Sequence, residues 1–163
     1  MNMDFERARF NMVEQQIRPW DVLDPDVLDL LMTVKREDFV PPAYRNLAFA
    51  DIEVPLGNGQ VMLPPRVEAR ILQAVAPRRS DRVLLVGAGS GYLAALLGAR
   101  AEEVVAVDID PALVDMARAN LQRAMNIAGI VITFNFVALG WVWFALPTTT
   151  LALTVFQKLF GIG

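Results

Sequence analysis

The fold is decided by the stretch that opens with RVLLVGAGSG at residues 82–91 and reaches VVAVD at residues 104–108. Aliphatic residues fill 83–86 and again 104–107, and a glycine-rich turn followed by an apolar helical run separates them. Short aliphatic runs bounded by turn residues are typical of buried strands. The stretch therefore predicts a β-α-β unit.

The turn between the first strand and the helix has the features of a nucleoside-binding site. Gly87 and Gly89 can adopt positive φ and let backbone N–H groups approach a ligand closely. The helix that begins near Gly91 directs its partly positive N-terminus at the same point. Asp108 follows the second strand, where a carboxylate can accept hydrogen bonds from ribose hydroxyls. The alternative for the same residues is a strand, turn and helix with only a structural role.

The spacing of the glycines distinguishes between cofactors. A dinucleotide fingerprint, G-x-G-x-x-G, would need glycine at position 92, but the chain has Tyr92 there and its third glycine at Gly91. The pattern G-x-G-x-G, followed by a strand that ends in an acidic residue, resembles the S-adenosylmethionine-dependent methyltransferases. This resemblance implies an α/β, Rossmann-like fold with S-adenosylmethionine bound by Gly87, Gly89, Gly91 and Asp108.

Composition excludes several classes of function. The 163 residues suit one domain and include no cysteine and no histidine. Disulfides, thiolate metal sites and imidazole catalysis are therefore excluded, and no metal site is expected. The formal charge of −3 gives no electrostatic indication of nucleic-acid binding. The opening residues, MNMDFER, are charged and amphipathic and show no secretory signal.

The first eighty residues are predicted to be mainly helical. Apolar periodicity predicts helices over 4–17, about 24–34 and about 65–76, the second capped by Asp24 and Pro25. The third helix should bury one side, made of Val67, Ile71, Leu72 and Val75. The charged run at 35–38 is interpreted as a solvated turn.

Three further motifs carry a closer resemblance. MVEQQIR at 12–18, REDFVP at 36–41 and AFADIEVPLGNGQ at 48–60 resemble the opening of protein-L-isoaspartate O-methyltransferases. Such enzymes methylate the abnormal carboxyl of isoaspartyl residues in damaged proteins, so the resemblance implies protein or peptide substrates of that kind. It runs through the glycine loop and Asp108 to about Ala124. The resemblance implies that Gly59 and Gln60 are candidate residues on the substrate side of the site.

Two positions depart from that family's pattern. The family serine that serves the active site is matched by Leu63, so no catalytic residue is assigned. The acid that usually stands two residues before the first glycine is matched by Leu85. After the helix predicted at 110–125 no family strands are recognised, so the fold is expected to be an incomplete methyltransferase with two exposed strands.

The last part of the chain has a different composition. From Asn126 to Gly163 the only charged residue is Lys158. Twenty uncharged residues at 127–146, with aromatic residues toward one end, predict a transmembrane helix. The alternative is buried strands around Ile130–Val137, where β-branched and aromatic residues dominate. A short apolar helix is predicted at 151–160.

The tail carries two further expectations. Residues 133–144 resemble a membrane segment of the membrane-bound O-acyltransferase family, although the intramembrane histidine of that family is missing. Arg118 and Arg123 precede the apolar stretch, and basic residues favour the cytoplasmic side. Residues 1–125 are therefore placed in the cytoplasm, with the tail as a candidate membrane tether.

These inferences define domains and two hypotheses of function. Residues 1–125 form a truncated methyltransferase domain, helical over 1–80 and nucleoside-binding over 81–125, and 126–163 form the apolar tail. The first hypothesis is an isoaspartyl methyltransferase impaired by truncation. The second is a non-catalytic, membrane-tethered remnant that binds the cofactor weakly.

Overall fold

The fold combines a helical N-terminal region, a short antiparallel hairpin and a parallel sheet with intervening helices. The structure is a computed structural model, and it describes residues 3–125 and 132–134. Buried side chains from Met12 to Leu121 form one hydrophobic cluster. The helical region and the sheet therefore share one core.

The N-terminal region begins with helix α1 (Phe5–Met12), which Asp4 caps by accepting a hydrogen bond from Arg7 N. The helical path continues through a π-helical turn and ends in a 3₁₀ turn at Arg18–Trp20. Helix α2 (Pro25–Thr33) follows, with the Asp24 side chain accepting from two backbone N–H groups of its first turn. Two 3₁₀ turns come next, Arg36–Asp38 and Pro42–Leu47.

A two-stranded hairpin connects this region to the rest. Strand β1 (Val54–Gly57) pairs antiparallel with β2 (Gln60–Met62). The two-residue loop is Asn58-Gly59, and both residues have positive φ, of 51° and 74°. Positive φ at both loop residues suits a type I′ turn, which matches the twist of the flanking strands.

The β-α-β unit follows helix α3 (Pro65–Val75). Its elements in chain order are β3 (Arg82–Val86), α4 (Tyr92–Gly98), β4 (Glu103–Val107), α5 (Pro111–Met125) and β5 (Ile132–Phe134). The three strands are parallel and ordered β3-β4-β5. In register, Arg82 lies opposite Glu103 and Val104 lies opposite Ile132.

The sheet has a buried centre and an exposed margin in the described part of the chain. Residues 104–107 of β4 are buried, as expected for a central parallel strand. On β3, by contrast, Leu84 and Val86 are exposed, Val86 at 68%. The prediction that both strands of the unit would be exposed edges is therefore wrong for β4, which pairs on both sides.

Most predicted helices are confirmed, but the predicted buried side of α3 is largely wrong. Val67 and Ile71 are only partly buried and Val75 is exposed, whereas Glu68 and Ala69 are buried with Leu72. Glu68 turns inward because it pairs with a guanidinium in the core. An ion pair formed across the fold thus sets which side of the helix is buried.

The run at 35–38 also differs from its prediction as a solvated turn. Arg36 is 0% exposed and Glu37 is 4% exposed. Arg36 pairs with Glu68, and Glu37 pairs with Arg9 of α1. Buried charges are tolerated in proteins when they are paired and hydrogen-bonded, as these are.

The predicted transmembrane helix over 127–146 is contradicted where the structure describes that stretch. Ile132–Phe134 form strand β5, parallel to β4. The physical reason is that β4 offers an unpaired edge, and β-branched and aromatic residues suit a strand beside it. The alternative of strands around Ile130–Val137 agrees with these three residues. The rest of 127–146 and the predicted helix at 151–160 lie outside the described residues.

Candidate functional site

The glycine loop is anchored to the end of the neighbouring strand. The N–H groups of Gly87 and Ala88 both donate to the carbonyl oxygen of Val107, at 2.8 and 3.0 Å. Gly91 N donates to Ala88 O at 2.9 Å, which closes the turn before α4. These bonds place the loop directly beside Asp108, the residue that follows β4.

Asp108 is oriented from two sides by backbone donors. Gly89 N donates to Oδ2 at 3.0 Å, and Asp110 N donates to Oδ1 at 3.1 Å. The residue is only 9% exposed. Because each carboxylate oxygen has two lone pairs, both oxygens can accept one further hydrogen bond. Asp108 is therefore fixed in orientation and still able to bind a diol such as that of a ribose.

The three glycines of the loop have different surroundings. A Cβ added at Gly87 would meet nothing within 4 Å, so the loop there borders open space. At Gly91, with φ of +87°, a Cβ would lie 3.1 Å from Ala117 Cα, Ala117 O and Leu121 Cδ1. Gly91 thus serves the close packing of the loop on α5. Of the predicted cofactor residues, Gly87, Gly89 and Asp108 come together at the open side, and Gly91 faces the helix.

The hairpin borders the same site. A Cβ at Gly89 would lie 3.6 Å from Leu56 Cδ1, an ordinary contact distance. Asn58 Nδ2 donates to Asp110 Oδ2 at 2.8 Å, across 52 residues of sequence. The substrate-side candidates Gly59 and Gln60 are exposed at the tip and start of β2.

A buried arginine fixes the far end of the hairpin. Arg36 Nε donates to Ala48 O at 2.9 Å, and its terminal nitrogens donate to Leu63 O at 2.6 Å and to Glu68. The guanidinium carbon lies 5.0 Å from the ring centroid of Tyr92, in the first turn of α4. Leu63, the predicted counterpart of the family serine, is therefore held by its carbonyl oxygen.

Burial dominates the electrostatics of this cluster. Desolvation raises the pKa of Glu68 to about 7, although the positive charge and hydrogen bond of Arg36 oppose the shift. Burial likewise raises the pKa of Tyr92, whose hydroxyl has no hydrogen-bond partner in the described part of the chain. The hydrogen bond from Asn58 is the largest cause of a lowered pKa at Asp110.

Sequence reasoning missed two contributors to the site. Arg36 was interpreted as solvated, because its partner Glu68 is 32 residues away. The hairpin was not predicted, although the dipeptide Asn58-Gly59 is a strong hairpin signal. Asn58 could thus have been found from the sequence, whereas Arg36 depends on the tertiary fold.

The geometry defines a class of protein. A glycine-rich loop after one parallel strand and an oriented acid after the next form the nucleoside-binding arrangement of Rossmann-like folds. The open space at Gly87 and the free lone pairs of Asp108 fit a nucleoside cofactor.

The comparisons with known proteins identify the family. A family model described as protein-L-isoaspartate(D-aspartate) O-methyltransferase matches residues 7–147. The chain belongs to this family. The protein-L-isoaspartate O-methyltransferase of Aeropyrum pernix is 42% identical over 122 residues, which cover 73% of this chain and 47% of the relative. Protein-L-isoaspartate O-methyltransferase 1 of Rhodopseudomonas palustris is 39% identical over 137 residues, 84% of this chain and 56% of the relative.

A solved structure supports the fold. It is that of a Plasmodium falciparum protein assigned as a protein-L-isoaspartate O-methyltransferase, determined with S-adenosyl-L-homocysteine, and it matches with a TM-score of 0.67 at 18% identity. The match covers 84% of this chain and 63% of that one. At this identity the likeness concerns the fold alone.

The extent of the match corrects one expectation. The family pattern was expected to end near Ala124, but the family model reaches residue 147 and includes the 133–144 stretch that resembled an O-acyltransferase. The chain spans about half the length of the curated relatives it matches. Within residues 3–125 and 132–134, no helix is both long and apolar enough to cross a bilayer.

Proposed function

We propose that this chain binds S-adenosylmethionine at the Gly87–Gly91 loop and Asp108, and that the site serves methyl transfer to isoaspartyl carboxylates in proteins. The observation that carries the proposal is the orientation of Asp108 by Gly89 N and Asp110 N. With one fixed donor on each oxygen, the carboxylate of Asp108 can still accept one further hydrogen bond at each. Family membership supplies the reaction class and the substrate class.

Each part of the chain has a role in this proposal. Asp108 accepts hydrogen bonds from the ribose hydroxyls, and Gly87 permits close approach of the ligand to the backbone. When bound, S-adenosylmethionine supplies an electrophilic methyl group on a sulfonium. An isoaspartyl carboxylate is already ionised at neutral pH, so the chain needs no general base and acts by positioning and by excluding water.

In this proposal the hairpin contacts the substrate. Gly59 and Gln60 present exposed backbone groups and an amide next to Asn58, and Leu63 directly follows β2. Leucine offers no side-chain hydrogen bond, so its contribution is limited to desolvation. We infer protein or peptide substrates with isoaspartyl residues, and a cytoplasmic location for residues 1–125.

A second candidate is cofactor binding without methyl transfer. One observation favours it: Leu63 stands at the predicted position of the family serine. In this alternative the loop and Asp108 retain affinity for the nucleoside, but Leu63 offers the substrate carboxylate no side-chain hydrogen bond.

Calorimetry of the whole chain with S-adenosylhomocysteine tests the binding step. Asp108→Ala should weaken binding about ten- to a hundredfold, because a hydrogen bond to a charged group contributes roughly 1.5–3 kcal/mol. Asp115→Ala is the matched control, since Asp115 is an exposed carboxylate on α5 and its loss changes the charge equally. Equal affinity in all three proteins would remove the basis of the site.

Methyl transfer separates the two candidates. The enzyme is supported if the wild-type chain transfers a labelled methyl group from S-adenosylmethionine to an isoaspartyl peptide and the Asp108→Ala variant does not. Wild-type chain that binds the cofactor and transfers nothing supports the second candidate. The aspartyl form of the same peptide is the control substrate.

A further inference from the structure

The tip of the hairpin adopts a conformation that few side chains accept. Gly57, Asn58 and Gly59 have positive φ in succession, and Asn58, at 51°, lies in the left-handed region. Asparagine is among the few non-glycine residues that adopt this region readily. Asparagine is also the residue that a type I′ hairpin turn favours here, so the turn explains its occurrence and the contact of its side chain is the informative feature.

That side chain contacts the residue that caps α5. Asn58 Nδ2 donates to Asp110 Oδ2 at 2.8 Å, while the other oxygen of Asp110 caps α5 by accepting from Ala112 N at 2.9 Å. The backbone N–H of Asp110 in turn donates to Asp108. Two hydrogen bonds therefore connect the hairpin tip to the acid that orients the nucleoside.

A second contact lies on the same side of the hairpin. Leu56, on β1, lies beside the loop, since a Cβ added at Gly89 would be 3.6 Å from Leu56 Cδ1. Gly89 and Asp110 are the two residues whose N–H groups donate to Asp108. The hairpin thus approaches one of them through Leu56 and bonds the other through Asn58.

We propose that Asn58 is a positioning residue that clasps Asp110 and holds the hairpin as a strap across the bound nucleoside. The inference rests on the proposed function, because it concerns the same site. Opening the strap lets the cofactor enter and leave, and closing it lengthens the residence of the cofactor. The strap also carries Gly59 and Gln60, so its closure places the substrate side against the cofactor.

The size of the effect follows from how weak a short hairpin is. A two-stranded hairpin is only marginally stable by itself, so one hydrogen bond at its tip shifts its opening equilibrium measurably. Loss of one net hydrogen bond should raise the rate of cofactor dissociation about three- to tenfold. The global stability should change little, because the contact is exposed and the core does not depend on it.

Three variants test the strap. Asn58→Gly removes the side chain and keeps the permitted backbone conformation. Asn58→Asp places two carboxylates opposite each other. The double variant Asn58→Asp with Asp110→Asn reverses donor and acceptor, and asparagine keeps the cap of α5 because it caps as well as aspartate.

The measurements are stopped-flow dissociation of S-adenosylhomocysteine, hydrogen exchange of the hairpin amides without ligand, and the melting temperature. We expect Asn58→Gly to raise dissociation three- to tenfold and Asn58→Asp to raise it further. The double variant should return to within about twofold of wild type. Hydrogen exchange of the hairpin amides should become faster in the same variants that release the ligand faster. The melting temperature should stay nearly constant.

The outcomes separate the strap from the function on which it rests. Wild-type chain that binds the ligand, with unchanged dissociation in Asn58→Asp, overturns the strap and leaves the proposed function standing. Wild-type chain without any binding overturns the proposed function and with it the effect on residence. In that case unchanged hairpin exchange overturns the clasp as well. The double variant has the same net charge as wild type and again pairs an amide donor with a carboxylate acceptor. If it dissociates as fast as Asn58→Asp, the hydrogen bond does not hold the hairpin and the clasp is overturned.

Discussion

Replacing Gly91 by alanine tests whether the third glycine of the loop is there for packing. A Cβ at this position would lie 3.1 Å from the Cα and carbonyl oxygen of Ala117 and from Leu121 Cδ1. Two of the three atoms belong to the backbone of α5, so they cannot move by a simple side-chain rotation. The methyl group can be accommodated only if the loop and the helix move apart.

The expected loss of stability has two parts. A positive φ, here +87°, costs a non-glycine residue roughly 1–2 kcal/mol. Overpacking in a well-packed region adds roughly 1–3 kcal/mol. Gly91 is also the N-cap of α4, where alanine is a poorer residue than glycine. We expect Gly91→Ala to lower the free energy of unfolding by about 2–5 kcal/mol.

Gly87→Ala is the matched control for backbone strain. Its φ is +94°, but nothing lies within 4 Å of an added Cβ. Only the roughly 1–2 kcal/mol of strain should appear in this variant. Urea unfolding of the whole chain, followed by far-ultraviolet circular dichroism, measures both losses. Equal losses in the two variants would refute the assignment of Gly91 to packing on α5, because they would leave only the shared strain.

Three further substitutions test the core and the sheet. Arg36→Met should lower the free energy of unfolding in urea by about 3–5 kcal/mol, because it leaves Glu68 buried without its partner. Arg45→Met removes an exposed pair and should lower it by less than about 1 kcal/mol. Similar losses in the two variants would contradict the burial argument. The pKa of Glu68 is raised from 4.5 to about 7, so between these pH values the folded chain retains a proton that the unfolded chain releases. The free energy of unfolding of wild type, relative to that of Glu68→Gln, should therefore fall as pH rises through this range. If the advantage of wild type over Glu68→Gln instead grows with pH, attraction by Arg36 outweighs burial. Thr133→Pro should destabilise the chain because proline disrupts pairing within a sheet, whereas Thr133→Val keeps the N–H and should be nearly neutral; equal melting temperatures would argue against β5.

The central unit was predictable because its signals are local. The aliphatic run of β3, the glycines and the acid at Asp108 stand in one short window and can be recognised there together. Only the packing role of Gly91 depends on a more distant element, α5. The start of α2 was predictable for the same reason, because the Asp24 side chain accepts hydrogen bonds from the N–H groups two and three residues later. Such features are fixed by nearest neighbours along the chain.

The buried charges were not predictable from the same kind of reasoning. The charges at Arg36 and Glu37 have the composition of a surface turn, and their partners Glu68 and Arg9 lie 32 and 28 residues away. Periodicity in a window of α3 also favours its aliphatic side, because the window contains no information about Arg36. Which side is buried is decided by the ion pair between Glu68 of α3 and Arg36 of a distant 3₁₀ turn.

The hydrophobic stretch after α5 shows where composition alone cannot decide between two structures. Strands of parallel sheets are commonly covered on both faces, so they appear in sequence as continuous apolar runs, as membrane helices do. The length of the uncharged run, twenty residues at 127–146, favours a transmembrane helix. The decisive fact lies elsewhere in the chain: β4 has a second edge, and its unpaired N–H and C=O groups need partners. Ile132–Phe134 supply them in parallel register, and the family model continues through the same residues. An apolar run that follows a β-α-β-α unit should therefore first be tested as the next strand of that sheet.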